Sequence, residues 1–240
     1  MNARLAPLAL VACGRIDFFD LPDARDAAVV PDASCGHTFC DDFERSDLVG
    51  PWDSMRTNNG ALAITNGQLV ATETTTMPTT AQVNLSKLVG MANSHVHFEA
   101  DYVFDTGGDG EIDLVQLHWL TRPASCTAYG FFLVRDRQTN SVALQETYTA
   151  CGGTGNITST FPGIVSTGPS GMHHVTIDVT LGTTTTARVD TMIDAVPLSR
   201  TAMPYNVPAS QISLDVGLDN VQINATTWSV RWDNVIVDLQ

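Results

Sequence analysis

The stretch HVHFEADYVF, residues 95–104, decides the fold. Its apolar positions are Val96, Phe98, Ala100, Tyr102 and Phe104, and the polar ones are His95, His97, Glu99 and Asp101. A period of two sends one set into a core and the other into solvent, which is the pattern of a half-buried β-strand. The same alternation recurs outward in both directions. Ala61 to Ile64 and Gln68 to Val70 flank Asn66-Gly67, the favoured two-residue hairpin turn. Val115, Leu117 and Trp119 alternate, as do Val175, Ile177, Val179 and Leu181. Thr183 to Val189, Ile212 to Val216 and Trp228 to Leu239 read as further strands. Tyr129 to Val134 and Val142 to Tyr148 form a hairpin around residues 135–140. No long segment has the 3.6-residue period of a helix, and no repeat of fixed period is present. More than ten short strands are expected, which predicts an all-β, two-sheet antiparallel sandwich of jelly-roll type.

Composition narrows the function. The chain has 240 residues, enough for one large sandwich plus a leader. Twelve basic residues face 26 acidic ones, a net charge of −14. Such a surface repels phosphates and anionic headgroups, so neither nucleic acid nor direct membrane-surface binding is expected. No apolar run approaches the roughly 20 residues that span a bilayer. The protein is expected to be a monomer.

Residues 1–13, MNARLAPLALVAC, join Arg4 to a short apolar run, and Leu10-Val11-Ala12-Cys13 resembles a bacterial lipobox. That reading makes 1–13 a lipoprotein-type signal segment with lipidation at Cys13. The only membrane contact would then be this anchor, and the location the extracytoplasmic face of the cell envelope. Residues 14–34, rich in Asp, Ala and Pro, read as a flexible acidic linker. Residues 35–240 form the domain. Four cysteines remain after Cys13, an even count that suits an oxidising compartment. Cys126 and Cys151 sit at the base of the 129–148 hairpin, so the expected disulfides are Cys126–Cys151 and Cys35–Cys40. The former would contribute on the order of 3 kcal/mol.

The order Phe39-Cys-Asp-Asp-Phe-Glu-Arg45, Trp52, Asn66-Gly-Gln-Leu69 and Trp232-Asp-Asn-Val235 resembles the concanavalin A-like, laminin-G-like jelly rolls over residues 38 to 240. That superfamily includes lectins, carbohydrate-binding modules, adhesion modules and glycosidases. The resemblance implies the fold and a glycan-related role; it does not choose among these functions. Glucanases of the superfamily carry E-x-D-x-E, or a bulged E-x-D-x-x-E, on a strand of the concave sheet. Glu111-Ile-Asp113-Leu-Val-Gln116 resembles the bulged form, with Glu111 at the nucleophile position and Asp113 between the acids. Gln116 replaces the acid/base carboxyl. An amide cannot protonate a leaving oxygen, and losing that help costs about 10² to 10⁴ in rate. Glu99 and Glu146 are the other carboxylates that neighbouring strands could bring to the same cleft.

The stretch has a second reading. Asp105, Asp109 and Asp113 stand at positions one, five and nine of a Ca²⁺-loop-like pattern, with Gly110 at six. Gly107 and Gln116 break that pattern at positions three and twelve. A plain acidic turn is the third reading. No cofactor is expected to be required, although a hard cation such as Ca²⁺ could be bound by these carboxylates. His173 and His174 adjoin and should face opposite ways, while His95 and His97 share a surface face. Trp119, Trp228 and Trp232 fall on core positions, leaving few exposed aromatics to stack on sugars. The expected function is a surface-anchored, non-catalytic glycan-binding module, with Glu111, Asp113, Gln116 and His118 as the binding set. The rivals are a divergent glycoside hydrolase using Glu111 and Asp113, and an adhesion or structural domain without a sugar ligand.

Overall fold

The computed structural model describes residues 35–46, 48, 50–73, 81–106, 111–120, 127–136, 141–150, 156–161, 171–181, 188–201, 211–219 and 227–240. Within these, only the backbone is described at 106, 111, 119–120, 127–136, 141, 143–150, 156–161 and 198–201. The strands are β1 (Phe39–Asp41), β2 (Ser54–Asn58), β3 (Gly60–Thr65), β4 (Gln68–Glu73), β5 (Gln82–Met91), β6 (His95–Thr106), β7 (Glu111–Leu120) and β8 (Thr127–Asp136). They continue as β9 (Ser141–Ala150), β10 (Asn156–Phe161), β11 (His173–Thr180), β12 (Arg188–Ile193), β13 (Val196–Thr201), β14 (Gln211–Asp219) and β15 (Ser229–Leu239).

They form two antiparallel sheets, so the expected all-β jelly-roll sandwich is the observed architecture. One sheet runs β13-β12-β11-β6-β15-β4-β3, with β1 added against β15, and has eight strands. The other runs β10-β9-β8-β7-β14-β5-β2 and has seven. Pairings between strands far apart in sequence, such as β6 with β15 and β7 with β14, tie the two ends of the domain together.

The alternation of residues 95–104 is realised in β6. Val96, Phe98, Ala100, Tyr102 and Phe104 are all buried. Tyr102 lies opposite Trp232 of β15, their rings 5.5 Å apart and tilted by 43°. From the seven-stranded sheet, Val83 and Leu85, Ile112, Val115 and Leu117, and Leu214, Val216 and Leu218 face them. Trp228 and Trp232 are fully buried core residues, as their positions predict. Asn66 and Gly67 have φ of 54° and 72°, the left-handed pair that a type I′ hairpin requires.

The start of the domain is fastened to its end. Cys35 and Cys40 form the expected disulfide. His37 bonds Asp238 at 2.7 Å, the Thr38 amide donates to the same carboxylate at 3.0 Å, and the Leu239 amide donates to the Thr38 hydroxyl at 3.0 Å. Just inside, the Asp41 carboxylate accepts the Phe43 amide at 2.9 Å, the Arg45 guanidinium and the Trp52 indole N–H.

Candidate functional site

Strict alternation along β7 would put Asp113 and Gln116, three residues apart, on opposite faces. The strand avoids this with a bulge. Against β8, Asp113 pairs with Val134 and Val115 with Leu133, leaving Leu114 as the extra residue. The register against β14 also shifts, between Val216 and Asp219. Asp113 and Gln116 thereby reach the same outer face of the seven-stranded sheet, and the Gln116 amide donates to Asp113 at 3.3 Å. The Gln116 carbonyl accepts from His118 Nε2 at 2.7 Å. A hydrogen-bonded chain thus runs Asp113–Gln116–His118 along the strand. Donation from Nε2 places the lone pair of the neutral imidazole on Nδ1.

Neighbouring strands complete the wall. Asp219 lies opposite Asp113, and Asp215 opposite Gln116. Asn84 of β5 donates to Asp219 at 2.9 Å. Asn84, Asp113, Gln116 and Asp219 are all buried, and together with Asp215 they line one shallow recess. The Asp215 carboxylate is 3.8 Å from His118 Nε2. Burial depresses the His118 pKa below its ordinary value; Asp215 opposes this, and Arg56 adds to it. His118 is therefore neutral near pH 7, although a quarter of its side chain (26%) is accessible.

The binding set named from sequence is thus brought together at Asp113, Gln116 and His118. Glu111 opens β7 opposite Asp136, and its side chain lies outside those described. No sequence signal marks Asn84, Asp215 or Asp219, whose roles depend on which strands become neighbours. Of the further carboxylates, Glu99 does not join them, because β6 belongs to the other sheet. Glu146 shares a register row with Phe131 and the buried Leu117, whereas Gln145 shares the row of Gln116.

Of the cation trio, Asp105 and Asp113 lie in different sheets. Asp105 is exposed in the eight-stranded sheet, where the Arg231 guanidinium donates to it at 2.8–2.9 Å. Asp113 is on the outer face of the opposite sheet, and Asp109 lies outside the described residues. Among the described residues no group of three or more His, Cys, Asp or Glu is arranged to hold a metal ion. Cys13, Cys126 and Cys151 also lie outside the described residues. No helix among the described residues is long and apolar enough to cross a membrane.

A second polar face covers the outside of the eight-stranded sheet. Of the chain's six histidines, five pair there or at its rim with carboxylates. His37 meets Asp238, His95 and His97 meet Asp178 at 3.2 and 2.8 Å, His174 meets Asp101 at 2.8 Å, and His173 meets Asp194 at 2.8 Å. Burial acts to lower the His97 pKa, but its hydrogen bonds to Asp178 and Glu99 prevail and raise it above 6.5. Burial acts to raise Asp194 and Asp238, but their imidazole and backbone donors hold them below 3.8. The raised histidine contributes stability that is complete below its unfolded pKa and is lost as pH rises through the folded one. The depressed aspartates contribute stability present above their unfolded pKa and lost as pH falls through the folded values. Because the depressed His118 adds stability as pH rises toward its unfolded pKa, resistance to urea is expected to peak near pH 6.5 and to decline toward pH 8. The His97 share, on a partly exposed pair, is no more than about 1 kcal/mol. His97→Gln should flatten that decline; an unchanged slope would remove His97 from the account.

No family model and no curated protein sequence matches the chain. Solved structures do. An endo-β-1,4-glucuronan lyase from the fungus Trichoderma reesei superposes with a TM-score of 0.64 at 17% identity, covering 85% of this chain and 96% of the lyase. An alginate lyase from Chlorella virus gives 0.56 at 9% identity, covering 79% and 93% of the two chains. A kappa-carrageenase from Zobellia galactanivorans gives 0.55 at 12% identity, covering 85% and 94%. At these identities the likeness is one of fold, that of a jelly-roll sandwich.

Proposed function

We propose that this protein is an extracytoplasmic module that binds a polysaccharide on the outer face of the seven-stranded sheet and does not hydrolyse it. The observation that carries the reading is the Asp113–Gln116–His118 chain on that face. It gathers fixed donors and acceptors of the kind that orient sugar hydroxyls. At the position where retaining hydrolysis needs a protonated carboxyl, it offers an amide. The polysaccharide class draws support from neighbours of the same fold, named for action on glucuronan, alginate and carrageenan. The Cys35–Cys40 disulfide fits an oxidising location. Attachment through Cys13, with residues 14–34 as tether, 35–240 as the binding domain and a monomeric state, completes the proposal.

The test is a titration of the purified full chain against soluble polysaccharides, with the same mixtures assayed for new reducing ends and for the ultraviolet absorbance of unsaturated sugar ends. Binding without either product, weakened at least tenfold by Gln116→Ala or His118→Ala, is the expected result. New reducing ends without unsaturated ends, abolished by Glu111→Gln, would establish the hydrolase instead. Absence of binding across the panel would favour an adhesion or structural domain.

A further inference from the structure

Resting on the glycan-binding reading, we infer that this site selects neutral, hydroxyl-rich glycans and rejects polyuronates, the acidic polymers on which its glucuronan and alginate lyase neighbours are named to act. The inference comes from the sign of the groups on the face. Asp113, Asp215 and Asp219 supply carboxylates to one recess. Among the described residues, the cation beside them is Arg56, placed opposite Asn84 by the pairing of β2 with β5. Other described cations are committed elsewhere: Arg45 to Asp41, Lys87 to Asp53, Arg188 to Asp190 and Arg231 to Asp105.

Two further observations point to a ligand that forms hydrogen bonds there, the first of them to one that donates. Asn84 is 1% exposed, lines the same recess and has a buried carbonyl oxygen with no partner. Ser86, two residues along the same face of β5 and opposite Asp215, has a buried hydroxyl with none. The recess is therefore rich in acceptors. Sugar hydroxyls donate well to carboxylates, and hydrogen bonds to a charged acceptor are the stronger ones. A uronate brings a second carboxylate into a partly desolvated site that already holds three, where like charges are poorly screened.

The test uses matched backbones: β-1,4-glucan oligosaccharides against β-1,4-glucuronan, and mannan against polymannuronate, each titrated calorimetrically into the full chain. The neutral member of a pair should bind at least tenfold more tightly. Asp215→Asn should narrow that gap, and so should added salt acting on the unmodified protein, which keeps the test valid if the variant is unstable. Equal or tighter binding of the uronate would overturn the selectivity and leave the glycan-binding reading standing. Failure of every member to bind would overturn both. A gap that neither salt nor Asp215→Asn changes would overturn the electrostatic cause assigned to it.

Discussion

Asp41→Ala is expected to destabilise the domain by about 3–5 kcal/mol, the range for breaking a buried ion pair from one side. In a domain of this size that corresponds to a fall in Tm of about 10 °C. Asp41 is 4% exposed, and three donors converge on its carboxylate: the Phe43 amide, the Arg45 guanidinium and the Trp52 indole. Removing it leaves the partly buried Arg45 charged and without its carboxylate, with Nε and Nη2 already buried and lacking partners. It also releases Phe43, a fully buried residue held at φ 53°, a left-handed conformation that a bulky side chain adopts only under constraint. Phe43 stacks on Trp52 at 6.3 Å, so the same loss loosens the aromatic cover over the first strand. The double variant Asp41→Ala/Arg45→Met separates these effects. If the stranded guanidinium dominates, the double variant is more stable than the single one by 1 kcal/mol or more in chemical denaturation, roughly the coupling expected of contacting residues. A double variant no better than the single would place the cost in the Phe43 turn instead.

The fold was legible wherever burial on one face enforced alternation. β6 and β15 carry the pattern almost without interruption, and Asn66-Gly67 states its hairpin in two residues. β5 is hidden because Lys87 takes a core-side position at the rim, reaching Asp53 at 2.9 Å over the Phe39 ring. The β12–β13 hairpin is hidden for a different reason. Its turn residues, Asp194 and Ala195, take φ of 51° and 62° without a glycine, so the usual signal is absent. Tertiary bonds hold that turn: the Asp194 carboxylate receives the His174 amide and pairs with His173.

The site was legible only in part, for a geometric reason. Asp113 and Gln116 were identifiable through the resemblance of the strand to a bulged motif, with His118 two residues on, and the bulge at Leu114 is what unites them. Residues that complete the recess come from β5 and β14, and Asn84 and Asp219 meet across 135 positions of sequence. Local periodicity places a residue on a face; it carries no information about which faces become neighbours.

Gly217→Ala is expected to cost about 3 kcal/mol or more and to weaken ligand binding with it, because the glycine sits where β14 passes closest to β5. A Cβ there would stand 2.2 Å from the Val83 carbonyl oxygen and 2.8 Å from the Asn84 Cα. Both are backbone atoms, so no side-chain rotation relieves the clash and the two strands must separate. The backbone adds its own penalty, since φ of 148° is poorly tolerated by any residue with a side chain. Strain and overpacking each cost on the order of 1–3 kcal/mol. Gly90 offers the control. It has φ of 139°, but a Cβ there would meet only the Leu239 Cδ1, at 3.4 Å. Gly90→Ala should therefore show the conformational penalty alone, about 1 kcal/mol. The difference between the two variants in urea midpoint measures the strand contact itself. Because Asn84 carries one end of the recess, prising β5 from β14 also breaks the Asn84–Asp219 bond. Glycan affinity should consequently fall in Gly217→Ala and hold in Gly90→Ala when both are measured well below their melting temperatures. Equal losses of stability in the two variants would mean that the strands already tolerate a wider separation, and that the recess does not depend on their close approach.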